Sequence, residues 1–401
     1  MQAHAKRVLL WLLLGASIGV ACGASSAAFL ASLELVTQLR VRHPGVVWLL
    51  PVAGLVLGGS YERYGSPIRG GSDLVLDTIH EGRSQLPLRM APMVAMGTVL
   101  THLFGGSAGR EGTAVQMGAS LADFVAHRAR VDSMLRRQLL VAGVAGGFGA
   151  VFGTPLAGLV FGLEYVTVGR YEWRAAVPAL VASVVGDRVT RALGIEHSVY
   201  PYLPWHAPSM GLLGKWVVFA VVVAGLAVTF LEGTHALKKL GARMALPWRM
   251  AVGGAVVVAL WQAVGSDVYL GLGVPTILTA FEAPLPTATA AWKLLFTAVT
   301  LGSGYLGGEV TPLFFVGATA GNALAGVLDL PLGLAAGVGM AALFGAAANT
   351  PIALAVMAAE LLGIGVLPHA LFVTLLACLV TGRRSLYASQ RMPRGKLRAW
   401  F

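Results

Sequence analysis

Acidic side chains inside otherwise apolar segments are the residues of this chain best suited to chemistry. Four of them, Glu111, Glu164, Glu309 and Glu360, lie within or beside long apolar runs. An ionisable group inside a bilayer is costly, so it marks a proton or ion path by default. Glu111 opens a predicted helix, where its carboxylate can occupy the backbone N–H groups that an anion would also need. Protonation would neutralise Glu111 and vacate those donors, which is a physical basis for exchange.

Glycine-flanked helix starts are the second feature that could bind an anion. Each of these segments predicts a helix whose first N–H groups have no partner and lie at the positive end of the helix dipole. Two such ends that converge inside a membrane would bind an anion without a full positive charge. The alternative is that the glycines serve only tight helix packing. The four segments are Gly70–Gly82, Gly105–Gly118, Gly304–Gly317 and Thr381–Gln390.

The composition places these segments in a membrane. The chain has 401 residues, of which 56% are hydrophobic and 12% charged, whereas a soluble domain carries about 25% charged residues. Apolar runs recur along the whole chain, and several are too short or too long for a single crossing of about 20 residues. We therefore predict an all-α polytopic membrane protein with tilted and re-entrant helices, which the bilayer tolerates only inside protein.

The net charge of +11 has a distribution that argues against nucleic-acid binding. Basic residues gather in short loops and tails, and no basic–aromatic module accompanies them. The positive-inside rule explains them as cytoplasmic segments, so both termini are predicted to be cytoplasmic in a multi-pass protein of the cell inner membrane. These basic groups are Lys6 and Arg7, Arg128 to Arg137, Lys238 to Arg243, and Arg383 to Arg398.

Self-comparison reveals an internal repeat. Phe148–Tyr165 resembles Phe344–Leu361 at an offset of 196, and Gly109–Ser120 faces Gly308–Thr319 at an offset of 199. Two such halves commonly form an inverted pair with the substrate site between them. We predict halves at about 46–200 and 211–391 within a single transmembrane transport domain. Glu309 then occupies nearly the place of Glu111, and Glu164 and Glu360 are interpreted as helix-end acids paired with loop arginines.

The motif GSAGREGT around Glu111 resembles the signature of the CLC family of anion channels and transporters, and the likeness covers nearly the whole chain. That resemblance implies an inverted-repeat fold, a homodimer with one anion path per subunit, and Glu111 as the proton-carrying gate. No C-terminal regulatory domain is expected. The anion-binding residues that it implies include Ser72, Asp73, Gly109, Arg110 and Gly112.

The segment GGEVTPLFFVGA is similar to the fluoride-exporting branch of that family, CLC-F. By this resemblance Glu309 is a candidate for proton coupling, Val310 and Thr311 line the central site, and Tyr387 is the central-site tyrosine. Fluoride is small and strongly hydrated, so backbone N–H groups and hydroxyls must replace its water. The expected function is a fluoride/proton antiporter whose substrates are fluoride and protons, without cofactor or metal.

Two positions bear on the choice between the fluoride and the chloride branch. Ser72 departs from the fluoride branch, because Ser at this position is typical of chloride-type relatives. Asp73 beside it is interpreted as a cap of its own helix. Tyr165 stands where chloride exchangers carry an inner glutamate, which agrees with the fluoride branch and leaves Glu111, alone or with Glu309, to carry protons. A chloride/proton exchanger or a passive anion channel on the same scaffold remains the alternative. An intramembrane enzyme is disfavoured because no H-E-x-x-H occurs and the histidines lack ligand spacing.

Overall fold

The computed structural model describes residues 2–82 and 85–392, with side chains from residue 7 onward. The side chain of Lys6 and the basic tail beyond residue 392, both predicted to be cytoplasmic, lie outside the described residues. Sixteen α-helices and no strand are found in the described part. In chain order the helices are α1 Gln2–Arg42, α2 Leu50–Tyr64, α3 Ser72–Glu81, α4 Met90–Leu103, α5 Glu111–Arg128, α6 Ser133–Phe152, α7 Pro155–Glu164, α8 Ala176–Ala192, α9 Met210–Gly241, α10 Leu246–Val264, α11 Val274–Glu282, α12 Thr289–Gly302, α13 Val310–Leu328, α14 Leu332–Ala348, α15 Pro351–Leu362 and α16 Leu367–Val380.

The helices differ in length in the way the sequence predicts for a membrane protein with broken segments. Within the described ranges, five are long and apolar enough to cross a membrane, and Val310–Leu328 is the one among them that is mostly buried inside the protein. Several other apolar helices have 10–17 residues. At 1.5 Å per residue the shorter of these do not span a hydrocarbon core of about 30 Å, so the irregular runs are explained by short helices packed within protein.

The internal repeat is visible in the helix bounds. Helices α4, α5 and α6 begin at Met90, Glu111 and Ser133, and α12, α13 and α14 each begin 199 residues later. Helix α15 begins 196 residues after α7. The two offsets are those found by comparing the sequence with itself. The predicted all-α fold with an internal repeat is therefore confirmed.

Glycines allow neighbouring helices to pack closely at equivalent places in the two halves. A Cβ atom on Gly118 of α5 would overlap the carbonyl oxygen of Gly143 in α6, and one on Gly317 of α13 would overlap that of Gly339 in α14. Small residues allow such close approach between membrane helices. Some glycines of the predicted anion-binding segments therefore serve packing as well.

Three of the four predicted glycine-flanked helix starts are present, namely those of α3, α5 and α13. The fourth prediction is wrong, because Thr381–Gln390 follows α16 and forms turns rather than a helix. Buried side chains explain its shape. Gln390 donates hydrogen bonds to the carbonyl oxygens of Tyr165 and Ala348, both at 3.0 Å, and accepts one from Asn349 at 3.0 Å.

Candidate functional site

Two glycine-rich loops meet through their backbones in the buried interior of the protein. Gly109 donates its N–H to the carbonyl oxygen of Gly308 at 2.6 Å, and Gly308 donates back to Gly109 at 2.8 Å, in an isolated antiparallel bridge. A Cβ atom on Gly112 would lie 3.1 Å from the Cα of Gly308, so a side chain there would crowd the contact. The pairing places the starts of α5 and α13 side by side.

The carboxylate of Glu111 lies on the start of α13. Its Oε2 accepts hydrogen bonds from the backbone N–H of Thr311 and from that of Arg110, both at 3.2 Å, and its Oε1 accepts one from the Thr311 hydroxyl. Glu111 is completely buried. The first N–H groups of a helix have no partner within the helix, so Glu111 fills donors that belong to the other half of the protein rather than to its own helix α5.

Arg110 and Glu309 stand at equivalent positions, immediately before α5 and α13. The Nε of Arg110 lies 3.4 Å from Oε1 of Glu111 without forming a hydrogen bond. Val310 is buried beside Thr311. The structure therefore brings together six of the predicted residues around the carboxylate: Gly109, Arg110, Glu111, Gly112, Val310 and Thr311.

Tyr387 belongs to a second group of predicted residues. Its ring packs edge to face on that of Tyr165, with centroids 4.9 Å apart, and it is buried. The Tyr165 hydroxyl donates to the backbone carbonyl of Ser72 at 3.0 Å. Tyr387 also lines a cavity of about 420 Å³ together with His235 and Arg383. Sequence reasoning noted Tyr165 only as a missing glutamate and overlooked its part in holding this group together.

The side chains of Ser72 and Asp73 connect the start of α3 to α5 and to the segment that carries Tyr387. The Ser72 hydroxyl oxygen accepts a hydrogen bond from the Gln116 amide of α5 at 3.2 Å. Asp73 accepts one from the backbone N–H of Ser389 at 2.9 Å. The interpretation of Asp73 as a cap of its own helix is wrong, since the start of α3 has no side-chain cap. Asp73 instead fastens the segment that carries Tyr387.

Glu309 lies between the two groups. Its carboxylate oxygen Oε2 would be 3.5 Å from a Cβ atom on Gly112, which places it against the first group. It also lies within electrostatic range of Lys238, Asp73 and Glu111, and of Tyr387. Glu309 is thus the predicted residue that is in electrostatic range of both groups.

Glu164 and Glu360 cap helices across the repeat. Glu164 accepts hydrogen bonds from the N–H groups of Ile352 and Ala353 at the start of α15, at 3.3 and 2.8 Å. Glu360 accepts them from Leu156 and Ala157 at the start of α7, at 3.0 and 2.6 Å. The predicted arginine pairing is wrong, because helix-start N–H groups supply the positive partner. Glu111 likewise accepts a hydrogen bond from a backbone N–H group at the start of α13.

Comparisons with known proteins agree with this architecture. Residues 53–382 match the family described as voltage gated chloride channel. A chloride/fluoride channel protein of Pseudomonas syringae pv. tomato is 44% identical over 406 residues, covering 96% of this chain and 87% of that protein. The H(+)/Cl(-) exchange transporter ClcA of Vibrio vulnificus is 27% identical over 387 residues, covering 87% of this chain and 81% of that protein. The crystal structure of a CLC-type fluoride/proton antiporter is similar with a TM-score of 0.92 and 32% identity, covering 96% of this chain and 98% of that one.

Proposed function

Because this chain belongs to the family of voltage-gated chloride channels, the CLC family, we propose that it exports cytoplasmic fluoride in exchange for inward-moving protons. The observation that carries the proposal is the position of the Glu111 carboxylate on the Thr311 N–H and hydroxyl. A carboxylate and a halide need the same donors, so only one of them can hold the start of α13 at a time. Similarity to a fluoride/proton antiporter supports fluoride as the anion.

The exchange follows from the charge of Glu111. When a proton neutralises the carboxylate, its hydrogen bonds from Arg110 and Thr311 lose their charge assistance and weaken. The side chain then leaves, and a fluoride ion takes the Thr311 N–H and hydroxyl. Loss of the proton restores the charge, and the carboxylate displaces the anion. In the proposed cycle the proton reaches Glu111 from outside and is released to the cytoplasm, whereas fluoride arrives from the cytoplasm and is released outside. The two ions therefore move in opposite directions, as in a secondary transporter.

The second group of residues serves the cytoplasmic end of the anion path in this proposal. Tyr387 has no hydrogen bond from its hydroxyl among the described residues, so that hydroxyl can donate to fluoride. Arg383 lines the same cavity, in which Glu232 is paired with Arg384, and Arg383 attracts anions from the cytoplasm. Glu309 lies between this end and Glu111 and is the candidate second proton carrier. Both termini are then cytoplasmic in the inner membrane, and two copies form a homodimer with one path each.

Chloride is the second candidate substrate, because the Ser72 hydroxyl accepts a bond from Gln116 and keeps its own proton for a halide. Reconstituted vesicles loaded with fluoride or with chloride would be diluted into anion-free buffer, with efflux and external pH recorded together. The proposal expects fluoride efflux to drive protons inward against their gradient, with chloride much slower. Equal chloride-coupled proton flux would identify a chloride exchanger, and fluoride efflux without proton movement would identify a channel.

A further inference from the structure

A buried arginine without a partner, Arg40, lies at the C-terminal end of α1. Arg40 is only 9% exposed, and its Nε is buried without a hydrogen-bond partner. Within the part of the chain that the structure describes, Arg40 forms no ion pair within 4.0 Å. Arginine stays charged in proteins, and a buried charge is normally paired. The guanidinium of Arg40 therefore lacks a counter-ion.

The described residues offer Arg40 no carboxylate within 4.0 Å, and a second buried cation lies against the same loop as Arg40. Lys293 of α12 is wholly buried and donates from Nζ to the carbonyl oxygens of Tyr269 and Gly271, at 3.1 and 2.6 Å. Arg40 lies against the same loop, since its Nη2 would be 3.0 Å from a Cβ atom on Gly271. Asp267 is the acid that interacts with Arg40 electrostatically, but it is exposed and its carboxylate binds the indole N–H of Trp261 at 2.6 Å.

The Arg40 side chain opens onto a cavity of about 560 Å³. Apolar side chains of α1 and residues 267–276, which run into the start of α11, form most of its wall, and its carboxylates are those of Glu34 and Asp267. Arg110 contributes to the same cavity, and its Nε is likewise buried without a hydrogen bond, 3.4 Å from the Glu111 carboxylate. The cavity thus connects an unpaired guanidinium to the arginine beside the proposed gate.

We propose that this cavity contains a second anion site, in which Arg40 binds a small inorganic anion such as fluoride or chloride. The inference rests on the proposed function, which puts the N-terminus in the cytoplasm and hence the Arg40 end of α1 on the external side. The site then receives anions that have passed Glu111 or that arrive from outside. An anion held there repels the next fluoride that leaves, so external anion slows efflux.

Initial fluoride efflux from reconstituted vesicles, measured while external chloride replaces a large impermeant organic anion, tests the site. For the wild type we expect chloride to slow efflux in a saturable way. Arg40→Gln removes the charge and should raise the half-effective chloride concentration about tenfold, whereas Arg40→Lys should raise it less. Arg42→Gln is the matched control, because it removes an equal charge from an exposed residue two positions along the chain. Efflux into chloride-free buffer should be retained in Arg42→Gln, and each variant is compared with its own rate in chloride-free buffer.

A second substitution, which should have the opposite effect on chloride inhibition, keeps the test decisive even if Arg40→Gln does not fold. Asp267→Asn removes the acid that interacts with Arg40 and keeps an acceptor for Trp261, so it should lower the half-effective chloride concentration. The site is refuted if chloride never slows the wild type, or if Arg40→Gln and Asp267→Asn both match the Arg42→Gln control. Failure of the proposed function is distinct, since the wild type would then show no proton-coupled fluoride efflux even without external chloride.

Discussion

The carboxylate of Glu111 accepts a hydrogen bond at 3.2 Å from the backbone N–H of Thr311, which lies 200 residues further along the chain. Glu111 begins α5 of the first half and Thr311 is the second residue of α13 in the second half. The acid of one half therefore occupies the anion-binding end of a helix from the other. Because nothing within α13 can use that N–H, the carboxylate can be replaced there only by another acceptor, and fluoride is the acceptor we propose.

Replacing Glu111 with Gln should abolish proton coupling. The amide keeps the size of the side chain but cannot take up and release a proton, so we expect proton influx to fall at least about tenfold while some fluoride efflux persists. Simultaneous fluoride and pH recording in vesicles measures both fluxes. Glu282→Gln, at an exposed position at the end of α11, is the control and should behave as the wild type. Normal proton coupling in Glu111→Gln would remove Glu111 from the proton path.

Replacing Thr311 with Val should slow fluoride transport about tenfold, since a hydrogen bond to a charged partner contributes about 1.5–3 kcal/mol. The methyl group keeps the shape of the side chain, so the purified protein should remain folded, and Thr311→Ser should restore most of the rate. Thr319→Val is the matched control on the same helix, because the Thr319 hydroxyl bonds only to the backbone of α13. Equal rates in Thr311→Val and Thr319→Val would exclude the hydroxyl from the anion site.

Replacing Tyr387 with Phe should slow fluoride efflux by about threefold to tenfold without lowering stability. The ring contact with Tyr165 remains, and the substitution removes only a hydroxyl for which the described residues offer no partner. Efflux and thermal unfolding in detergent would be compared with Tyr202→Phe, which alters a residue that is 75% exposed. A loss of stability that accounts for the loss of efflux would assign Tyr387 a packing role alone.

Replacing Glu360 with Gln should lower stability rather than proton coupling. Glu360 and Glu164 each cap a helix of the other half through two N–H groups. The loss of a helix cap costs about 0.5–2 kcal/mol. Thermal unfolding should occur at lower temperature in Glu360→Gln and in Glu164→Gln, while fluoride and proton fluxes per folded protein keep their ratio. A changed ratio at wild-type stability would mean that these acids lie on the proton path.

The repeat and the positions of the central residues could be predicted from the sequence because both are encoded locally. Gly109 and Gly308 each precede a helix start at the same offset, and the backbone bridge between them follows once the halves are mirrored. Glu111 is recognisable because an acid in an apolar segment is rare. Its bond to Thr311 could be expected only in outline, since sequence shows that the helix starts exist but not which carboxylate reaches which helix.

The contacts that sequence reasoning missed are those between distant segments. The bond of Asp73 to Ser389 and the exchange of caps by Glu164 and Glu360 depend on the arrangement of the whole bundle. A carboxylate beside a loop arginine is the commoner pairing, and spacing alone cannot reveal that a helix start replaces the arginine. Thr381–Gln390 has the glycine and polar residues of a helix start, but buried bonds to Gln390 hold it in turns.

Equilibrium fluoride binding to the purified protein as a function of pH tests the competition between Glu111 and the anion most directly. Protonation of Glu111 frees the donors of α13, so the affinity for fluoride should rise as the pH falls in the wild type. In Glu111→Gln the site is never blocked by a charge, and binding should be tight and independent of pH. A wild-type affinity that does not change with pH, or that changes equally in Glu111→Gln, would contradict the account.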